Sequence, residues 1–280
     1  MALFNRVTII GLGLIGGSLG VALRRRGMRV TGYSRKPSTL RAAKRRGAID
    51  AGSTDLRAAV RDVDLVVLAT PVDTIVPLAR RAASLVRPGT VLTDVGSTKG
   101  HVVRSLDRSL PRGVSFVGGH PLAGSERRGI DAASKELFHG SICILTKTPR
   151  TSVRALRAVT RLWKPLVGRV MVMSPSRHDR LVAATSHLPH LVAYSLAGAT
   201  PRDGLAVAPR SFLDVTRIAK SDPDLWDDIF LSNRTELLRA VSRFDRQWRT
   251  IRLLLTRADR TGLLRVLRSA HRKRHALNDS

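Results

Sequence analysis

The chain has 280 residues, with Lys+Arg 49 against Asp+Glu 21, a formal net charge of +28, 43% hydrophobic and 4% aromatic residues. That length buries a sizeable core and suits two domains, and the ordinary apolar fraction excludes a disordered or collagen-like chain. The positive field draws in anionic substrates and cofactors. The bases are scattered and stacking rings are few, which argues against a nucleic-acid binder; the densest cluster is His271-Arg272-Lys273-Arg274-His275. The single cysteine, Cys143, has no internal partner, which fits a reducing, cytoplasmic setting. No Cys/His cluster has metal-ligand spacing, so no metal is expected. The apolar stretch 7–23 carries patterned glycines and lacks a cleavage pattern, so it reads as strand, loop and helix rather than an export signal or membrane span.

In chain order, residues 6–10 form a β-branched run followed by Gly11-Leu12-Gly13-Leu14-Ile15-Gly16 and an apolar helix. G-x-G-x-x-G between a strand and a helix is a dinucleotide-binding signal. Gly11 makes the turn, Gly13 lets the backbone approach a pyrophosphate, and Gly16 lets helix and strand pack closely. The N–H groups from Leu14 and Ile15 onward, with the helix dipole, face the phosphates. The second strand, 29–33, ends in Ser34-Arg35-Lys36-Pro37-Ser38-Thr39. An NAD site places Asp or Glu there for the ribose 2′-hydroxyl. Arg35 with the Ser34 and Ser38 hydroxyls suits a 2′-phosphate instead, so NADP is expected, with NAD possible if Arg35 is only surface charge.

A helix at 37–46 follows, then a strand at 64–69 ending in Thr70-Pro71, placed beside the cofactor. A helix at 75–86 leads to a strand at 90–94 and the turn Val95-Gly96-Ser97-Thr98-Lys99-Gly100. Ser97 at that strand mouth faces the cleft, and Ser97 or Thr98 also suits a helix N-cap. The run 114–117 ends in Gly118-Gly119-His120-Pro121, which puts an imidazole at the C-terminal mouth of a strand, where open α/β sheets bind ligands. A neutral imidazole there accepts a proton near neutral pH. A loop and short helix at 129–138, a strand at 141–145, a helix at 152–163 and a strand at 169–173 complete the first domain, 1–173.

From Ser174 onward, in the second domain, 174–280, the period is helical. A helix to about residue 197 puts Leu181, Thr185, Leu188, Val192 and Leu196 on one face and Ser186, His187, His190 and Tyr194 on the other. The polar stripe suits a substrate wall, and Pro189 frees the Thr185 carbonyl and kinks the helix. A loop at 200–209, a short helix at 211–219 with Asp214 and Arg217, and one long helix from 225 to about 258 follow. The three-and-four spacing of Trp226, Ile229, Phe230, Leu237, Val241, Phe244, Trp248, Ile251 and Leu255 predicts packing on a second chain, hence a homodimer. A last helix covers 263–276.

These residues together resemble the prephenate/arogenate dehydrogenases of tyrosine biosynthesis, over about residues 5–258. The carriers are the glycine motif through Ser18, Asp94-Val95-Gly96-Ser97-Thr98-Lys99, Gly119-His120-Pro121-Leu122-Ala123-Gly124-Ser125-Glu126, Thr185-Ser186-His187-Leu188-Pro189-His190 and Asp214-Val215-Thr216-Arg217-Ile218-Ala219. The resemblance implies a Rossmann-type α/β dinucleotide-binding domain followed by an all-α dimerisation domain. It implies oxidative decarboxylation of a small dianionic cyclohexadienyl substrate, prephenate to 4-hydroxyphenylpyruvate or arogenate to tyrosine. His120 is then the base and Ser97 orients the substrate hydroxyl and His120. Arg217 pairs with a substrate carboxylate, Ser186, His187 and His190 line the pocket, and Glu126 lies near its entrance. Activity is expected to fall below the His120 pKa, near ~6.5 unless the site shifts it. The chain departs from many relatives at Ser34-Arg35, where they carry the ribose-binding acid.

Two other readings stay open at this point. A β-hydroxyacid dehydrogenase of the 6-phosphogluconate type wants a catalytic lysine on the helical domain, and Lys220 is the only candidate between Lys164 and Lys273. A non-catalytic basic protein that binds nucleic acid would show steep salt dependence.

Overall fold

The structure, a computed structural model, describes residues 4–125 and 127–277. Six short strands form a parallel sheet in the order β3-β2-β1-β4-β5-β6. They are β1 (Arg6–Ile10), β2 (Arg29–Tyr33), β3 (Ala51–Ser53), β4 (Leu65–Leu68), β5 (Val91–Asp94) and β6 (Ser115–Val117). The helices between them are α1 (Leu14–Arg24), α2 (Pro37–Arg45), α3 (Leu56–Ala59), α4 (Val72–Ala83) and α5 (Gly100–Leu106). The strand order reverses between β1 and β4, and open α/β sheets hold ligands at such a switch point. The central strands β1 and β4 are buried on both faces, so they read as nearly unbroken apolar runs. Val7 and Ile9 of β1 join the layer containing Leu19 and Leu23, while Ile10 joins the layer of Ile75, Ala79 and Leu106. Fully burying each such aliphatic side chain contributes about 1.5–3 kcal/mol.

A second sheet of three strands, β7 (Gly119–Pro121), β8 (Ile142–Thr146) and β9 (Arg169–Met173), carries α6 (Val153–Trp163) between its last two strands. Only Gly118 separates β6 from β7. His120 is therefore the middle residue of a strand of its own, paired antiparallel with Ile144, rather than the end of the preceding strand. The glycine pair makes this possible. A Cβ on Gly118 would sit 2.4 Å from the Thr146 hydroxyl, and one on Gly119 2.7 Å from the Asp94 carbonyl.

The helical part departs from the sequence expectation in three places. The helix over 174–197 is α7 (Pro175–Val182), a π-helical turn (Ala183–His187) and α8 (Leu188–Ala199). The irregular turn sits directly before Pro189, whose missing N–H and ring disrupt the regular ladder. Its faces are also rotated from the expected stripe. Leu181 and Leu196 are each 39% exposed, whereas His178, Val182, Ala183, His187 and Ala193 are buried. Residues 200–209 hold a short helix, α9 (Arg202–Ala206), before α10 (Arg210–Thr216) and a 3-10 turn (Arg217–Lys220).

The predicted long helix is broken into α11 (Pro223–Ser232) and α12 (Arg234–Thr256) at Asn233. The buried Asn233 amide donates to the Asp179 carbonyl at 2.9 Å and contacts His187 Nδ1 at 3.2 Å. Asn233 itself is outside helical geometry, with φ −115 and ψ +23 as the C-cap of α11. The chain divides into two compact units between Asn233 and Arg234. In the second unit α12 is followed by α13 (Arg260–His275), with Ala258 at φ +52 in the turn and Asp259 capping α13 through Gly262 N–H.

Candidate active site

Alongside the switch point lies a cavity of about 850 Å³. Of the residues singled out from the sequence, it brings together Gly13, Leu14, Ile15, Thr70, Pro71, Ser97, His120, Ser186, His187, His190 and Arg217. Gly11 and Gly16 lie within the turn rather than on the wall. Gly11 has φ +95, and a Cβ on Gly16 would fall 2.0 Å from the Gly11 carbonyl, so neither position accepts a side chain. A Cβ on Gly13 would meet nothing within 4 Å, which leaves open space in front of the α1 N-terminus. No side chain caps α1, so its first N–H groups are free to meet an anion. Ser34, Arg35 and Ser38 stand at the end of β2 and the start of α2, outside the cavity lining. The Ser34 hydroxyl accepts the Lys36 N–H at 3.2 Å, and Arg35 is exposed. Glu126 lies outside the described residues.

At the other end of the cavity is a chain of buried groups. His120 Nδ1 lies 2.8 Å from His178 Nε2, and His178 Nδ1 lies 2.8 Å from Asp179 Oδ1. The Asp179 carboxylate also accepts the N–H groups of Lys99 at 2.8 Å and Gly100 at 2.7 Å. It thus caps α5 from another helix, in place of Ser97 or Thr98; the Thr98 hydroxyl instead donates to Ser232. Burial pushes the Asp179 carboxyl up, but the bonds from His178, Lys99 and Gly100 outweigh it and hold the group below the usual carboxylate range. Burial lowers His178, against the pull of Asp179.

An ionised Asp179 beside a neutral His178 fixes the protons along the line. His178 donates through Nδ1 and accepts through Nε2, so His120 donates through Nδ1 and keeps an acceptor lone pair on Nε2. Burial, together with the repulsion a protonated His120 would meet from Lys99 and from any charge on His178 or His187, lowers the His120 pKa well below the usual histidine value. The imidazole is thus neutral well into the acid range, further than the unshifted expectation.

A second anchor ties the Ser97 turn to the His120 strand. Asp94 and Lys99, both fully buried, form an ion pair. Asp94 Oδ2 also accepts Gly96 N–H at 3.0 Å, and Oδ1 accepts Gly119 N–H at 3.1 Å. A buried pair is tolerable only when its remaining lone pairs are satisfied in this way. On the helical wall His190 Nδ1 donates to the Ser186 carbonyl at 2.8 Å and its ring stacks on Trp226 at 3.5 Å. Burial brings His187 down to about 4, so it too is neutral. Tyr194, on the same predicted stripe, donates to the Ser221 carbonyl and does not line the cavity.

The residues that sequence reasoning left without a role are Asp94, Lys99, His178, Asp179 and Asn233, and Trp226, expected on a stripe facing a second chain, is instead buried against His190. An adjacent His-Asp pair in the first turns of a helix, in a chain poor in acids, was a usable signal for His178 and Asp179. Nothing local marks Trp226 or Asn233, whose roles depend on partners far along the chain.

Residues 19–172 match the model of the prephenate dehydrogenase nucleotide-binding domain, and residues 174–269 match that of the prephenate dehydrogenase dimerization domain. The chain belongs to the prephenate dehydrogenase family. It is 35% identical to a prephenate dehydrogenase of Bacillus subtilis over 98% of this chain and 76% of that one. It is 34% identical to a cyclohexadienyl dehydrogenase of Zymomonas mobilis over 99% of this chain and 97% of that one. A prephenate dehydrogenase of Aquifex aeolicus, solved in complex with hydroxyphenyl propionate and NAD+, superposes with a TM-score of 0.89 at 35% identity, covering 97% and 98% of the two chains. The Rossmann-type fold with a helical C-terminal part is that of the family. The activity is oxidative decarboxylation of a cyclohexadienyl acid, prephenate or arogenate. Lys220, the one lysine available to a hydroxyacid dehydrogenase reading, is exposed and does not line the cavity. Among the described residues no helix is long and apolar enough to cross a membrane.

Proposed function

We propose that the cavity binds NADP at the β1–α1 end and the dianionic substrate at the β7–α7 end, with His120 as the base. The turn from Gly11 to Gly16 and the N-terminus of α1 would hold the dinucleotide, whose nicotinamide would supply the hydride acceptor. The His120–His178–Asp179 line carries this reading, because it leaves Nε2 of His120 as a proton acceptor in a cavity shared with the glycine loop. His120 removes the substrate hydroxyl proton as hydride leaves the carbon that bears the hydroxyl. The ring then expels its carboxylate as CO2, its bond electrons make the ring aromatic, and the phenolate oxygen reclaims the proton from His120. Ser97, which lines the same cavity as His120, orients the hydroxyl. Arg217, on the same wall, suits a substrate carboxylate. Ser186 and the neutral His187 and His190 form the polar wall, and Glu126 is assigned to the entrance from the motif alone.

NADP is preferred over NAD because Ser34, Arg35 and Ser38 replace the acid that would repel a 2′-phosphate. The Aquifex relative was solved with NAD+, so the preference rests on this chain's own departure. Homodimer formation is supported by the dimerization-domain match and by exposed apolar side chains within it, among them Leu181, Leu196, Val207 and Trp248. The proposed division into 1–173 and 174–280 is supported by the family-model matches over 19–172 and 174–269.

The deciding experiment follows absorbance at 340 nm with prephenate or arogenate, each with NAD or NADP. Reduction of NADP in preference to NAD, lost in Arg35→Ala, is the expected outcome. A preference for NAD unchanged by Arg35→Ala overturns the cofactor assignment. Silence in all four pairs, with folded protein, overturns the site assignment.

A further inference from the structure

A second cavity, of about 460 Å³, is lined by Arg80, His101, Arg104, Ser105, Arg108 and Ser109. Arg80 comes from α4; His101, Arg104 and Ser105 come from α5; Arg108 and Ser109 follow it. Positions 101, 104, 105 and 108 are spaced by three and four, so they share one face. The opposite face of α5 is spent on the core through Val102, Val103 and Leu106. None of the six belongs to the cleft that holds His120.

We propose that this cavity is a binding site for a small molecule carrying more than one phosphate group. Three exposed arginines line this open depression, and among the described residues none of them is paired with a carboxylate. Asp107, the acid in the same stretch, is turned away to accept from the Thr148 hydroxyl at 2.8 Å. Arg104 on α5, Arg108 in the turn after it and Arg80 on α4 bring three like charges to one patch, and a bound anion offsets their repulsion. Arg80 Nε donates to the Ser109 hydroxyl at 3.0 Å, which ties the two walls together and leaves its terminal nitrogens for a ligand. The planar forks match phosphate oxygens, and Ser105 and Ser109 add hydroxyls. The volume exceeds that of one phosphate ion. No aromatic side chain other than His101 lines the cavity, so bases have no stacking platform.

The test uses inorganic pyrophosphate as the probe, titrated calorimetrically into the full chain at constant ionic strength. The comparison is between Arg104→Ser/Arg108→Ser and Arg154→Ser/Arg157→Ser, which removes the same charge from exposed positions on α6. Any binding at the glycine loop persists in both, so the difference between isotherms reports this cavity alone. The expected result is a saturable component weakened at least tenfold by the first pair and unchanged by the second, with Arg80→Ser, on the facing helix, giving a loss of the same kind. Equal weakening by both pairs means a diffuse field and overturns the proposal. So does the absence of a saturable component, or tighter binding of random-sequence duplex DNA through the same arginines.

Discussion

At the β1–α1 end of the cleft the working groups are main-chain N–H groups and open space, whereas at the β7–α7 end they are buried side chains that hold one another. The first end needs no ionised residue in the loop itself: Gly11 and Gly16 keep the turn tight and Gly13 leaves room. The second end needs an ionised Asp179, a neutral His178 and a neutral His120 at once, beside the buried Asp94–Lys99 pair. Backbone-built sites are specified by what is absent, so they fail when atoms are added. Side-chain networks are specified by what is present, so they fail when one partner is removed or titrated.

The largest effect expected at the side-chain end follows from His120→Asn. Asparagine still reaches His178 but supplies no proton-accepting nitrogen, so turnover falls by about 10²–10⁴-fold. Circular dichroism confirms the fold, and near wild-type turnover in a folded variant removes His120 from the role of base. Next is Lys99→Met, which leaves Asp94 charged and unpaired in the interior and costs about 3–5 kcal/mol of stability. Urea unfolding reads this directly, and an unchanged midpoint shows that the pair is not what joins the Ser97 turn to the His120 strand.

The backbone end is probed by two substitutions of identical chemistry. Gly16→Ala drives a methyl into the Gly11 carbonyl and destabilises the fold, whereas Gly13→Ala meets no protein atom and leaves unfolding unchanged. Gly13→Ala instead raises the dinucleotide KM by occupying the space before the helix N-terminus. Equal thermal shifts in the two variants abolish the distinction. The mildest perturbation is pH. His120, His178 and His187 are all lowered by burial, His187 to about 4. The unfolded chain binds more protons below ~6.5, so stability rises with pH across the window between the folded and unfolded values, by about 1.4 kcal/mol per unit for each such histidine. A urea midpoint falling between pH 6.5 and 4.5 is expected. The acid limb of kcat/KM lies below 6.5 for the same reason, and a limb at or above 6.5 contradicts the neutral relay.

The two ends also differ in how far they could be read in advance. The glycine loop is contiguous, and its strand and helix carry their own periods, so Gly11 to Gly16 were legible as a unit. Ser97, His120, Ser186, His190 and Arg217 were legible as motifs. The relay behind His120 was not, because His178 and Asp179 lie 58 and 59 positions away and act on groups brought close only by folding. The helix over 174–197 was read with Ser186, His187 and His190 as a polar wall, and these three line the cavity, whereas Tyr194 does not and Leu181 and Leu196 of the apolar stripe stay at the surface.

By itself the sequence determined the alternation of strands and helices, the parallel sheet with its glycine turn, the change to helix after Ser174 and the family. These rest on periods and short spacings, which act within a few residues. Only the tertiary structure decided that His120 sits within its own strand, that Asp179 caps α5 and sets the tautomers of two histidines, and that Asn233 divides the long helix. Each of these is a hydrogen bond or an ion pair between distant segments, and its energy exists only once water has been excluded from between them.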